Sequence, residues 1–516
     1  MAVLLVWAVA CWAFFQFAYK YHFFYQEQNQ IFLLSADWLS TYFSKPAWLS
    51  CMAGDFITQF YYYLFAGPAL LTLVLLTTGD LCRRALEKAG LQAWAAFVPA
   101  VAVMTLLAVL CFSETYRLSS VISAGGAMLL FLLTYTGTKG KGVPAALAAL
   151  IGTAATFWMF GYAVFIYALL TAMTAVIRHR RYAAATCTAA IVPLLLIPLT
   201  RNLYLLDISD LYAYPGIGKI GAPSFDLERL FEVDNLYYWQ RDNKVIETVE
   251  HTPRSKMTLE MTFYYNLASA RQGRLADNLL KIQPTDLGVF ERIGPQTPMT
   301  KILRMNELYF LLGDMTFAER AAMMKNVFSP GNRNVRMMKR LAETSLITGD
   351  NRTAEKYLRI LSKTIAYRRW AAERMPGRQT TAVREWLRNK RMYINRTDTI
   401  RLTDNAHYIM NELVESNPRN DAAVNYMLCS DLILRDMKTF WDDYNTFCMN
   451  THCPRTERIY QEALLICLAA THAPLSLWGQ YVSDRSLAER FAIYSTQRGS
   501  AAYKDTYWYY YDTHDK

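Results

Sequence analysis

The run VPAALAALIGTAATFWMFGYAVFIYALLTAMTAVI, residues 143–177, decides how this chain is organised. It contains no Asp, Glu, Lys or Arg over 35 positions. At about 1.5 Å per residue, one straight helix of that length would be roughly 52 Å long, whereas the hydrocarbon core of a bilayer is about 30 Å thick. The aromatic cluster from Trp158 to Tyr162 contains Gly161, a residue able to turn sharply at interface level. Splitting the run there yields two spans, near 143–159 and 161–177.

Further apolar runs lie near 2–19, 58–78, 93–112, 118–137 and 183–205, so the split gives seven spans. Basic residues test that count, because Lys and Arg concentrate in cytoplasmic loops. With seven spans and a cytoplasmic N-terminus, Arg83, Arg84, Lys88, Lys139, Lys141, Arg178, Arg180 and Arg181 all fall inside. Lys20, Lys45, Arg117 and Arg201 fall outside. Six spans would move the Arg178–Arg181 cluster to the wrong face. Seven spans place everything after about residue 206 on the extracytoplasmic side, and the expected location is a bacterial inner membrane. Met1 runs straight into apolar sequence without a basic leader, which reads as an anchor or a cropped start more than a cleaved signal.

The composition agrees with this division. The whole chain is 53% hydrophobic and 19% charged, yet residues 1–206 carry only 18 charged side chains, about 9% of positions, and the remaining 310 carry 79, about 25%. A simple soluble enzyme, a disordered chain and a small disulfide-framed secreted domain are excluded. The net charge of +11 divides into +6 and +5 between the halves, so neither is a concentrated basic module and nucleic acid is not an expected partner. No Asp, Glu, Lys or Arg sits mid-span, which argues against an ion pump or a proton-coupled transporter.

Function-capable groups concentrate in the outer loop 20–57. It contains Tyr21-His22-Phe23-Phe24-Tyr25-Gln26-Glu27-Gln28-Asn29-Gln30, then Ala36-Asp37-Trp38, and runs through Gly54-Asp55-Phe56-Ile57 into Thr58-Gln59. Apolar residues at Ile31, Leu34, Trp38 and Leu39 and around Trp48 suggest interfacial helices. A carboxylate beside amides and phenols at a membrane surface can act as general base or metal ligand. Helix capping and an aromatic interfacial belt account for each residue singly. The arrangement of one membrane helix, an acidic outer loop, a seven-helix core and an extracytoplasmic tail resembles the GT-C fold of lipid-linked-sugar glycosyltransferases. That resemblance implies Glu27 as the catalytic acid, with Asp37 second, acting on the acceptor or through a divalent metal. His22, Gln28, Asp55, Gln59 and Arg201 are the expected substrate-binding groups. The loop lacks an Asp-Glu or Asp-x-Asp pair. The same stretches resemble an uncharacterised family of bacterial polytopic membrane proteins with helical-repeat tails.

A Gly- and Pro-rich linker, 207–223, leads to the distal half, 224–516. There the patterns around Gly273 and Ala276, Gly313 and Ala318, and Gly349 and Ala354 repeat one device: an apolar helix stops at Gly and a second begins near a small Ala. The Gly spacings of 40 and 36 sit near the roughly 34-residue period of tetratricopeptide repeats, which the third copy resembles. The expected fold is therefore all-α: a polytopic transmembrane bundle followed by an α-solenoid of irregular repeats, whose concave face would bind protein or peptide. Cys429, Cys448, Cys453 and Cys467 would face an oxidising compartment, with one or two disulfides among them. Walker, dinucleotide, nucleophile-elbow and His-Glu-x-x-His motifs are absent from the sequence.

Two functions follow as expectations. One is transfer of a sugar from a lipid-linked donor in envelope glycan assembly, with Glu27 as the acid. The other is a non-enzymatic membrane-anchored scaffold whose periplasmic repeat domain binds an envelope protein. In both, the lipid bilayer is a partner.

Overall fold

The computed structural model describes residues 2–138, 142–178, 180–216, 224–282, 297–397, 406–451 and 454–513, and these form helices with no strand among them. The chain divides into two compact units. The first comprises Met1–Phe231 with the short segments Arg333–Arg336 and Arg359–Ala372, and the second Glu232–Asn332, Met337–Leu358 and Glu373–Lys516. Two pieces of the charged distal half thus belong to the unit that carries the apolar helices.

In the first unit α1 (Ala2–Ala13) continues through a π-turn, Phe14–Ala18, and meets α2 (Tyr21–Gln28) at a bend of 75°. Then come α3 (Ala36–Ser40), α4 (Trp48–Thr58), α5 (Ala66–Ala89), α6 (Ala93–Leu110), α7 (Leu118–Thr138), α8 (Gly142–Phe160), α9 (Val164–Arg178) and α10 (Ala183–Leu196). Among the described residues four helical runs are long and apolar enough to cross a bilayer: Ala93–Leu110, Leu118–Thr136, Gly142–Arg178 and Arg180–Tyr204. Counting the bent pair as one span makes five. Several long apolar helices suggest a membrane protein, although the number meeting this criterion is below the seven read from hydropathy. Part of the difference lies in α5, which is 24 residues long but ends with Asp80, Arg83, Arg84, Glu87 and Lys88.

The Gly142–Arg178 run folds back on itself. The Tyr167 hydroxyl of α9 donates a 3.0 Å hydrogen bond to the carbonyl of Ala148 in α8, and Ala149, Ala168 and Ala190 pack in one cluster. In a straight helix, residues 19 positions apart would be separated by about 28 Å, so α8 and α9 lie antiparallel. Gly152 makes room for the approach, since a Cβ there would overlap the Tyr167 hydroxyl. The reversal occurs at Gly161, where φ is +58° and a Cβ would overlap the Tyr214 carbonyl. Only glycine meets both conditions without strain.

The second unit is built from short helices joined at tight turns. Gly273, Gly313 and Gly349, at φ +70°, +79° and +90°, follow the helices Leu259–Arg271, Met299–Leu311 and Val335–Thr348. Ala276, Ala318 and Ala354, which begin the return helices, are buried. Asn306 fastens one such hairpin by donating 2.6 Å to the Ala318 carbonyl. The closing helix Tyr507–Thr513 is packed through Tyr507, whose hydroxyl donates to the Leu432 carbonyl, and Trp508, whose indole donates to the Glu462 carbonyl, each at 2.8 Å. Cys429, Cys448 and Cys467 are buried thiols, so the expected disulfides do not form among them; Cys453 lies outside the described residues.

Candidate functional site

The outer loop was the expected site, and the first unit contains all of its groups. Helix α2 starts on a carboxylate: Glu228, itself buried, accepts the backbone N–H groups of Tyr21 and His22. This satisfies donors that a helix N-terminus otherwise leaves open. His22, Phe23, Phe24, Glu27 and Gln28 are the buried residues of α2.

Glu27 is 4% exposed. Its Oε2 accepts a 3.0 Å hydrogen bond from the Tyr367 hydroxyl. The two side chains share a cavity of about 10 Å³ with Gln30, Gln59, Thr364 and Val335, room for about one water molecule. Gln59 is buried there, and its Oε1 has no hydrogen-bond partner among the described residues. Beside it Gln28, also buried, accepts a 3.0 Å hydrogen bond from Arg336. Backbone pairing continues the contact, with Leu34 N–H donating to the Lys363 carbonyl and Val335 N–H to the Gln30 carbonyl. The Glu27 pocket is therefore closed by residues of the two distal segments.

Asp55 forms a neighbouring polar group. The Tyr42 hydroxyl donates to its carboxylate at 2.8 Å, and the Arg333 guanidinium lies 3.7 Å from it. Burial pushes the Asp55 carboxyl up, against the pull of Arg117, Tyr42 and Arg333. Arg333 also stacks over the rings of Trp38, at 4.2 Å, and Tyr42, at 5.3 Å.

The remaining expected residues do not join Glu27. Asp37 is exposed in the first turn of α3. Arg201 is exposed and pairs with Asp207 at 3.3 Å. His22 is packed among Tyr19 and Phe23, its Nδ1 lies 3.6 Å from Glu228, and neither ring nitrogen has a hydrogen-bond partner among the described residues. Glu27, Gln28 and Gln59 are thus buried groups in or beside one small cavity, Asp55 belongs to an adjacent cluster, and Asp37 and Arg201 lie on the surface. Sequence reasoning missed Tyr367, Arg333 and Arg336, which are hundreds of residues from the loop and carry no motif.

It also missed a group in the second unit. His407 of helix Ala406–Ser416, Asp431 of Asp421–Leu434 and Asp443 of Met437–Tyr444 bring their ligand atoms within 4.8 Å of one another. Burial pushes both carboxyls up, Asp443 to about 7 with the charge of Asp431 adding to the effect. The Asp431 carboxylate beside it raises His407. Spacings of 24 and 12 residues match no local metal motif, so only the packing of three successive helices reveals the cluster.

A sequence model of a family of unknown function matches residues 1–514 of the chain. No curated protein and no solved structure matches it.

Proposed function

The chain belongs to this family of unknown function, DUF6057, and we propose that it is a membrane-anchored scaffold whose helical-repeat half binds a partner protein. The observation that carries this reading is the enclosure of Glu27. A carboxylate 4% exposed, held by Tyr367 beside a cavity of about 10 Å³, has no space for a sugar on a lipid carrier, since ligand pockets usually run to about 300–1,000 Å³. Its geometry is that of a buried polar tie between the outer loop and the segment 359–372.

The seven-span topology is part of the proposal. It counts α5 with its charged end, and α8 and α9 as separate spans, which the Tyr167 contact with Ala148 supports. It places the N-terminus in the cytoplasm and the repeat half in the periplasm of a bacterial inner membrane. An α-solenoid of tetratricopeptide-like repeats is supported by the recurrent positive-φ glycines and the buried alanines after them. A reporter fused after Lys516 that is active only in the cytoplasm would overturn this orientation.

The GT-C-like glycosyltransferase reading has one observation in its favour: Gln59 presents an unpartnered amide oxygen to the cavity that Glu27 lines. It requires the pocket to open. In cells lacking the gene, the Glu27→Gln chain, produced at normal level, should restore whatever the deletion removes. Failure of that chain to restore an envelope glycan, with its folding intact, would overturn the scaffold in favour of the enzyme.

A further inference from the structure

Asp431 is 3% exposed and its Oδ2 has no hydrogen-bond partner among the described residues. Asp443 is 8% exposed, and its Oδ2 likewise has none, nor has His407 Nδ1. Three side chains from three helices thus converge, with one ligand atom of each within 4.8 Å of the others, and each carries a polar atom left without a hydrogen-bond partner among the described residues. His407 Nδ1 lies 3.7 Å from Asp431 Oδ1 and 3.6 Å from Asp443 Oδ2. These separations exceed an ordinary hydrogen bond, about 2.7–3.2 Å. They are close to the donor-to-donor edge, about 3.0–3.4 Å, of a polyhedron whose centre is about 2.1 Å from each donor.

Charge points the same way. Among the described residues no Lys or Arg pairs with Asp431 or Asp443, and the other charges acting on them, from Asp436 and Asp442, are also negative. Two buried carboxylates with only an imidazole for compensation are costly unless a cation joins them. The arrangement also has an outer face, because the His407 side chain is 40% exposed.

We propose that His407, Asp431 and Asp443 bind one divalent transition-metal ion, of the zinc or manganese class, through one imidazole nitrogen and two carboxylate oxygens. Three protein donors with an exposed face leave room in the coordination sphere for water or a further ligand, the pattern of open rather than purely structural sites. The repeat half would then be more than an inert binding surface. This inference does not depend on the scaffold proposal, because His407, Asp431 and Asp443 belong to the second unit and none of them lines the Glu27 cavity.

The test uses the full-length chain, purified in detergent with a tag that contains no histidine and stripped with EDTA. Manganese is titrated and the free ion followed by electron paramagnetic resonance, and zinc is added in competition. The expected result is one manganese per chain, displaced by one zinc, with a rise in Tm on binding. Asp431→Asn, Asp443→Asn and His407→Ala should each weaken binding at least tenfold. Asp443→Asn removes charge at nearly constant volume and should melt in EDTA no lower than the parent. If both Asn variants misfold, His407→Ala, at a partly exposed side chain, decides alone. No stoichiometric binding of either ion at 1 mM, or binding that His407→Ala leaves unchanged, would overturn the site and leave a carboxyl pair that shares a proton.

Discussion

The hydroxyl of Tyr367 reaches across 340 residues of sequence to donate a hydrogen bond to Oε2 of Glu27. That bond makes the most function-like acid of the outer loop part of a closed pocket. It also makes Tyr367 the residue through which the two readings of the protein can be separated, because a structural tie and a catalytic acid respond differently to conservative change.

Tyr367→Phe removes the donor and keeps the ring, which packs edge-on against Tyr62 at 5.3 Å between centroids. Withdrawing a hydrogen bond from a buried carboxylate costs about 1–3 kcal/mol, so the thermal midpoint of the detergent-solubilised protein should fall by several degrees. Glu27→Gln retains an oxygen that can accept from Tyr367 and should cost less, under about 1 kcal/mol. A larger loss of stability in Glu27→Gln than in Tyr367→Phe would contradict the assignment of the bond as the main tie.

Arg333 is the second tie, and its planar shape matters as much as its charge. It stacks over Trp38 and Tyr42 while facing the Asp55 carboxylate. Arg333→Lys preserves the charge and loses the stacking plane, a loss of about 0.5–2 kcal/mol. Arg333→Ala should cost more, because the largely buried Asp55 then keeps only Tyr42 and Arg117 as compensation. A Lys variant that melts with the parent would show that the stack contributes nothing, and Lys and Ala variants that melt together would show the same of the charge.

Gly313 and Gly349 distinguish local strain from close packing. Both have positive φ, but a Cβ at Gly313 would overlap the Tyr393 carbonyl, whereas nothing lies within 4 Å of one at Gly349. Gly349→Ala should cost about 1–2 kcal/mol for the left-handed backbone alone. Gly313→Ala adds a clash with main chain that cannot rotate away, and the two variants should differ by more than about 1 kcal/mol in chemical unfolding.

These positions also show what sequence can and cannot reveal. Gly161, Gly273, Gly313 and Gly349 were legible as reversal points because positive φ is a local property, announced by glycine at the end of an apolar helix. The concentration of polar groups around Glu27 was legible because it lies in one short stretch of sequence. Its enclosure was not, since Tyr367, Arg336 and Glu228 close on the loop from more than 200 positions away, and such contacts leave no periodicity or motif. Nearness in sequence misled for Asp37, ten residues from Glu27 yet exposed in a different helix. Hydropathy could not assign 333–336 and 359–372 to the first unit, because they are held there by single hydrogen bonds, an ion pair and ring contacts to residues far away in sequence rather than by an apolar stripe.

Lys390 yields a pH dependence whose sign is fixed by its surroundings. Its ammonium lies 4.6 Å from the centre of the Phe310 ring, which Arg340 also covers at 3.6 Å. Burial, with the neighbouring Arg340 charge, lowers Lys390 to about 8, while Glu343 pulls the other way. An unfolded lysine titrates near 10.4. Between about 8 and 10.4 the unfolded chain therefore holds a proton that the folded chain has released, so stability rises with pH across that window and the gain is absent below about 8. At 1.36 kcal/mol per unit the gain is up to about 3 kcal/mol. Lys390→Met keeps the apolar stem over Phe310 and removes the titration. The difference in thermal midpoint between the parent and Lys390→Met should therefore shift in favour of the parent from pH 7.5 to pH 10, while other lysines and tyrosines cancel in the comparison. A difference that stays flat over that range would mean that Lys390 is solvated as an ordinary surface lysine.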